Sequence, residues 1–407
     1  MIADSLRCIE CGSRYSEDEI LYSCPKCGNL LEYILPLSEL DPAKLRKAFD
    51  ARPLSVWRYK ELLPNINSKS LVSMNEGGTP LHRCANLAKQ VGAKELYVKF
   101  DGMNPTGSFK DRGMTVGISK AADLKVKAVV CASTGNTSAS LAAYAGLASI
   151  KCVVMIPSGM IALGKLSQAM MHGAIVLAVK GNFDDAFDLV MRSSKELGLY
   201  VLNSVNPFRP EGQKTAAFEI CDQLGSPPDA LVIPVGNGGN SAAYWKGFSE
   251  FKEIGLSKST PRIYGIQAAG AAPIAKAFEK GVEKIEPVKK PETIATAIKI
   301  GNPANWKKTI RAIKNSKGTS ITVTDDEITS AQKLIARTEG LFVEPAAAAS
   351  LAGLFKLLES GEIDKKEKIV CVATGHGLKD PDSAIRASEK PIEIAPNMDA
   401  LRAVLRK

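Results

Sequence analysis

Apolar runs of five to eight residues recur along the chain, separated by longer stretches of helical periodicity. The runs are "LYVKF" (96–100), "AVVCAS" (128–133), "KCVVMIP" (151–157), "AIVLAV" (174–179), "LYVLN" (199–203), "ALVIPVG" (230–236), "RIYGIQA" (262–268) and "KIVCVATG" (368–375). Most are continuous and rich in β-branched residues, the mark of strands buried on both faces of a parallel sheet. Residues 182–197, 209–224 and 325–340 read as helices. Strand then helix, repeated, predicts a layered α/β architecture. In such sheets ligands gather beyond the carboxyl ends of the strands. Three polar loops begin where an apolar run stops: "STGNTS" (133–138), "GNGGN" (236–240) and "TGHG" (374–377).

Composition adjusts this picture only slightly. The 407 residues are 45% hydrophobic and 24% charged, as in globular proteins, and the length suggests two or three domains. The net charge of +10 decides neither nucleic acid nor an anionic small ligand, and no run of five like charges forms a basic arm. Residues 128–150 carry no charge, yet Ser133, Thr134, Asn136, Thr137, Ser138, Ser140 and Ser149 suit a strand, a loop and a small-residue helix better than a lipid span. The N-terminus runs directly into Asp4, Arg7 and Glu10 without a leader pattern, so a cytoplasmic protein with no membrane partner is expected. Nine cysteines in that compartment argue for metal sites or buried thiols before disulfides, and Cys131, Cys152, Cys221 and Cys371, in or beside apolar runs, read as buried thiols.

Cys8, Cys11, Cys24 and Cys27 form C-x2-C-x12-C-x2-C, each pair followed by a glycine that lets the chain curl. Four thiolates so spaced can close a tetrahedral Zn²⁺ site with no open position, and the metal would supply stability that about 30 residues cannot bury for themselves. The alternative is a knuckle of four reduced thiols. Arg7, Arg14, Tyr15 and Lys26 are scattered, so a structural ribbon is expected and not a nucleic-acid binder.

The loops carry the chemistry. In "PVGNGGNSAA", Gly236, Gly238 and Gly239 can turn successive N–H groups toward one anion, Asn237 and Asn240 add donors, and a helix follows. That is a phosphate cup without the sequence of a P-loop or a dinucleotide fingerprint. "CASTGNTSAS" places Ser133, Thr134, Asn136 and Thr137 at a helix start, more polar groups than an N-cap requires. In "NPTGSFKDRG" (104–113), Lys110 is either a solvated lysine on a helical turn or a nucleophile. An amine nucleophile must be partly deprotonated; Phe109 and a helix start at Ser108 could desolvate Lys110, while Arg112 and a bound phosphate would tune its charge. Lysine, cup and hydroxyl donors together point to pyridoxal phosphate on a Schiff-base lysine. His376 shapes the "TGHG" loop, and Glu344-Pro345 starts a tightly packed helix.

From about residue 70 to 382 the chain resembles the threonine synthase family, of the pyridoxal-phosphate fold that also contains threonine dehydratase and cysteine synthase. "NEGGTPL" (75–81), "NPTGSFKDRGM" (104–114), "CASTGNTSAS" (131–140), "NSVNPFRPEGQKT" (203–215), "PVGNGGN" (234–240), "GNPANWKK" (301–308) and "ATGHGLKDP" (373–381) carry the resemblance. It implies a zinc-ribbon-like module (1–36) and two layered α/β domains with the cofactor between them. The large domain would be built from 37–125 and 206–407, the small one from 126–205. Lys110 would carry the cofactor and move the substrate's Cα proton. Asn136 would meet the cofactor's ring oxygen, Gly236, Asn237, Gly238, Gly239 and Asn240 its phosphate, and Thr374 its pyridine nitrogen. Ser133, Thr134 and Thr137 would hold the substrate carboxylate, and Asn203, Ser204 and Arg209 its phosphate. The implied reaction is O-phospho-L-homoserine plus water giving L-threonine and phosphate, by a homodimer and without activation by S-adenosylmethionine. A dehydratase of threonine or serine, or a cysteate synthase acting on phosphoserine, is the nearest alternative.

Overall fold

A computed structural model describes residues 5–160 and 163–406. Thirteen strands form three sheets among these residues. In chain order they are β1 (Leu6–Cys8), β2 (Arg14–Tyr15), β3 (Leu31–Tyr33), β4 (Leu81–Arg83), β5 (Glu95–Phe100), β6 (Ala128–Ala132), β7 (Lys151–Pro157), β8 (Ile175–Val179), β9 (Tyr200–Val201), β10 (Ala230–Pro234), β11 (Arg262–Ala268), β12 (Ser320–Val323) and β13 (Lys368–Ala373).

The cysteine-bearing segment makes an antiparallel sheet in the order β2-β1-β3. The largest sheet runs β12-β11-β10-β13-β5-β4, parallel except where β4 joins β5. The third runs β8-β7-β6-β9 and is parallel throughout. The layered α/β expectation is borne out.

Successive residues of the continuous apolar strands point to opposite faces, and both faces are covered. Leu231, Ile233, Val370 and Val372 pack with Phe218, Tyr244, Phe248 and Phe251 of the helices Arg209–Leu224 and Gly239–Ile254. Their neighbours Ala230, Val232, Ile369 and Cys371 pack against the alanine-rich helix Pro345–Glu359. The uncharged stretch 128–150 divides as expected into β6 and the helix Asn136–Leu147. No helix among the described residues is long and apolar enough to cross a membrane. Cys131, Cys152, Cys221 and Cys371 are buried.

One strand departs from the expectation of burial on both faces. β8 is largely exposed, with Ile175 and Leu177 open to solvent, because it is the edge of its sheet among the described residues. The runs 199–203 and 230–236 are extended for only part of their length, since their last residues turn away to form loops at the carboxyl ends of β9 and β10.

Candidate active site

Lys110 opens the helix Lys110–Asp123, and the turn before it is held on both sides. Thr106 donates its N–H and its hydroxyl to the Asp111 carboxylate at 2.7 and 2.6 Å. The N–H of Phe109 donates to the Thr374 carbonyl, and that of His376 to the Gly107 carbonyl, each at 2.9 Å. These bonds fasten the lysine turn to the loop after β13. His376 also stacks on Phe100 at 5.9 Å between ring centroids.

The helices Lys110–Asp123 and Arg209–Leu224 cross almost backbone to backbone. A Cβ on Gly212 would stand 1.7 Å from the Arg112 carbonyl oxygen, so only glycine permits the approach. The crossing brings Arg209 beside Lys110. Burial, and next the Arg209 guanidinium, depress the Lys110 ammonium from 10.5 to about 7, with Glu344 acting in the opposite sense. The amine is therefore substantially neutral at neutral pH, as a nucleophile or base requires. Its Nζ lies 4.2 Å from the Phe109 ring centroid.

The expectation that Arg112 tunes Lys110 is corrected. Arg112 is buried in ion pairs with Asp101 and Glu219, and residues two apart on a helix do not face each other. Arg209 is the positive neighbour instead.

One cavity is lined by Lys110, Phe109, Ser204, Arg209, the loop Gly236–Asn240 and Thr374. Its donors are poorly satisfied from within. Nε and Nη2 of the buried Arg209, and Nδ2 of the buried Asn240, have no hydrogen-bond partner among the described residues. A buried donor left unpaired is unfavourable, so this set fits an anion brought in by a ligand. Burial lowers the Arg209 guanidinium to about 10, which still leaves it cationic at neutral pH.

The glycine loop is shaped from outside. Gly238 has φ +83°, and a Cβ there would stand 2.0 Å from Thr309 Oγ1. The Thr309 hydroxyl donates to the Gly238 carbonyl at 2.9 Å, and the Asn305 N–H donates to the Asn237 carbonyl at 3.0 Å. Gly238 then caps the helix Gly239–Ile254 without any side-chain bond, leaving the positive helix end facing the loop.

Ser133, Thr134, Asn136, Thr137 and Asn203 do not line this cavity. Gly135 caps the helix Asn136–Leu147 with no side-chain bond, so Thr134 and Thr137 are not consumed as caps. The Ser133 hydroxyl accepts from the Gly135 N–H at 3.2 Å. Asn203 donates to the Ala132 carbonyl at 2.9 Å and accepts from the Ala132 N–H at 3.0 Å, which commits its amide to joining the end of β6 to the loop after β9. Asn136 donates to both Glu344 oxygens at 3.2 and 3.1 Å. Glu344 starts the helix Pro345–Glu359, as read from sequence, and burial raises its carboxyl. Its place beside Asn136 and Lys110 had no signal in local sequence, where a lone glutamate before proline reads only as a helix start and leaves its role open. Asn305 was likewise missed as a brace; its amide also donates to the Ser204 carbonyl at 3.1 Å.

Away from the cavity, the ligand atoms of Cys8, Cys11, Cys24 and Cys27 lie within 4.8 Å of one another. The Cys8–Cys27 and Cys11–Cys24 sulfur distances are 3.4 and 3.6 Å. A tetrahedron with metal–sulfur arms of about 2.3 Å has edges of about 3.8 Å, so the four thiols fit one metal ion. Gly12 and Gly28 turn the two knuckles at φ +70° and +73°.

The model of the family described as pyridoxal-phosphate dependent enzyme matches residues 72–375, which includes every loop of the cavity. The chain belongs to that family. It is 58% identical to a threonine synthase of Methanocaldococcus jannaschii over 402 residues, covering 98% of this chain and 99% of that protein. It is 53% identical to a threonine synthase of Methanosarcina acetivorans, with 98% of each covered. The processed form of threonine deaminase isoform 2 from Solanum lycopersicum has a similar fold, with TM-score 0.67, 22% identity, and coverage of 83% of this chain and 95% of that one. The family, its fold and its relatives make the protein a pyridoxal-phosphate-dependent lyase.

Proposed function

We propose that the protein is a threonine synthase, converting O-phospho-L-homoserine and water to L-threonine and phosphate. The observation that carries this reading is the buried Arg209, with unpartnered nitrogens, in the same cavity as Lys110 and the glycine loop. A phosphorylated cofactor and a phosphorylated substrate together require two anion grips, and the loop and Arg209 supply one each. A guanidinium suits the bidentate hold on a phosphate dianion.

In this reading Gly236, Asn237, Gly238, Gly239 and Asn240 hold the phosphate of pyridoxal phosphate, Lys110 carries it, Asn136 lies by its ring oxygen and Thr374 by its pyridine nitrogen. The bound cofactor supplies an electron sink for negative charge developing on the substrate's carbon chain. Lys110, with its amine near neutrality, takes and returns protons on that chain. Arg209 and Ser204, with Asn203 bracing their loop, hold the γ-phosphate as its bond to Cγ breaks. Ser133, Thr134 and Thr137 fix the carboxylate, so that water adds at Cβ of a substrate tethered at both ends. Thr374 offers the pyridine nitrogen a neutral hydroxyl, which keeps the sink moderate.

The cysteine cluster holds a structural Zn²⁺, with no position free for chemistry. The chain divides into the ribbon (1–36), a large domain (37–125 with 206–407) and a small domain (126–205), acting as a cytoplasmic homodimer. Separate incubations with O-phospho-L-homoserine, with phosphoserine plus sulfite, and with threonine test the choice. Threonine and phosphate from the first are expected. Cysteate from the second, or ammonia release from the third as the main activity, would overturn it.

A further inference from the structure

Residues 305–311 touch the cofactor cup on one side and the cysteine ribbon on the other. Toward the cup, Asn305 and Thr309 bond the carbonyls of Asn237, Gly238 and Ser204. Toward the ribbon, Lys307 Nζ donates to Asn29 Oδ1 at 2.9 Å, Lys308 Nζ to the Leu31 carbonyl at 2.7 Å, and Arg311 Nη1 to the Ile9 carbonyl at 2.6 Å. Arg311 also pairs with Glu10, and Lys307 with the same carboxylate at 3.4 Å. Ile9 and Glu10 lie inside the first Cys-x-x-Cys pair, and Asn29 follows the second. All these acceptors therefore move with the four thiols.

Two further contacts lead from the ribbon to the site. Cys8 and Cys24 share an apolar cluster with Phe208, the residue before Arg209, and with Val116, on the helix that Lys110 starts. The Tyr22 hydroxyl accepts from the Val201 N–H at 2.7 Å, in the strand that leads to Ser204. The elements carrying Lys110, Arg209 and the glycine loop thus all rest on one small module.

We propose that the metal-closed ribbon is a clamp that positions the cofactor cup, with Lys307, Lys308 and Arg311 as the positioning residues that transmit it. About 30 residues cannot fix their own shape without a metal, so loss of the ion frees the acceptors on which the helix Trp306–Asn315 leans. The loop Asn237–Gly238 then loses the brace that shapes it. This rests on the reading of the cavity as the pyridoxal-phosphate site.

Titration of the cofactor-free protein with pyridoxal phosphate, followed by visible absorbance, tests the clamp. Three proteins are compared: wild type with its metal, wild type stripped by a chelator, and the double variant Lys307→Ala, Arg311→Ala. Metal analysis and circular dichroism accompany each titration. The expected result is a half-saturation about tenfold higher in both altered proteins, the double variant keeping its metal. Unchanged half-saturation in a metal-bearing, folded double variant, or in a folded metal-free protein, would overturn the clamp while leaving the site reading intact. A wild type that binds no pyridoxal phosphate would overturn the site reading itself.

Discussion

Two buried arginines, Arg112 and Arg209, sit on crossing helices and have opposite surroundings. Arg112 donates to Asp101, Glu219, Thr79 and Thr215, and Lys99 joins it on Glu219 at 2.6 Å. Two cations face two carboxylates, and the guanidinium rises well above its ordinary value despite burial. Arg209 is just as buried, has two nitrogens without partners and is lowered to about 10. A protein that satisfies one arginine so fully has left the other open to a ligand. The paired arginine holds the fold; in the proposed reading the unpaired one takes the substrate's phosphate.

The sharpest way to break this comparison is Arg112→Met, which strands the buried Asp101 carboxylate and leaves Glu219 with Lys99 alone. Removing one partner of a buried pair lowers stability by about 3–5 kcal/mol, read from denaturant unfolding. Next comes Gly238→Ala, which places a Cβ against Thr309 in a left-handed conformation. It is expected to reduce stability by about 1–3 kcal/mol and to weaken cofactor binding, seen in thermal melts and absorbance titration.

Both regions gain stability as pH rises, but in different ranges. Burial raises Glu219, but Arg112 and Lys99 prevail and hold it at about 2, below its ordinary 4.5. Its stabilisation is present above pH 4.5 and is lost as pH falls toward 2. Lys110 is a base held at about 7, below its ordinary 10.5, so the unfolded chain binds the extra proton between those values. Its penalty is full below pH 7 and fades as pH rises to 10.5. In the cofactor-free protein, the gap in melting temperature between Lys110→Met and wild type should narrow over that range; a constant gap would contradict the depressed lysine. The smallest effect belongs to Arg192→Ala, which removes an exposed pair with Glu196 and should change stability by at most about 0.5 kcal/mol.

The main strands were legible because residues such as Val232 and Val370 are apolar on both faces of a covered sheet. β1, β2 and β3 were not, because strands of two or three residues are set by the cysteine knuckles and carry no periodicity. β12 escaped because its middle residues are only half-buried. At the site, Lys110 and the glycine loop announced themselves by local composition. Local sequence offered Arg112 as the lysine's cationic neighbour; only the family resemblance put Arg209 close to Lys110, because that approach depends on a helix crossing fixed by Gly212. Glu344 meets Asn136 across 208 residues, a distance that no local pattern spans.

The most direct test is to compare cofactor-loaded wild type and Arg209→Met for stability and for kcat/KM with O-phospho-L-homoserine. The unpaired guanidinium leaves no carboxylate stranded, so the thermal midpoint should hold or rise, while kcat/KM falls by about 10²-fold or more. An unchanged kcat/KM, or destabilisation as large as that of Arg112→Met, would contradict the account.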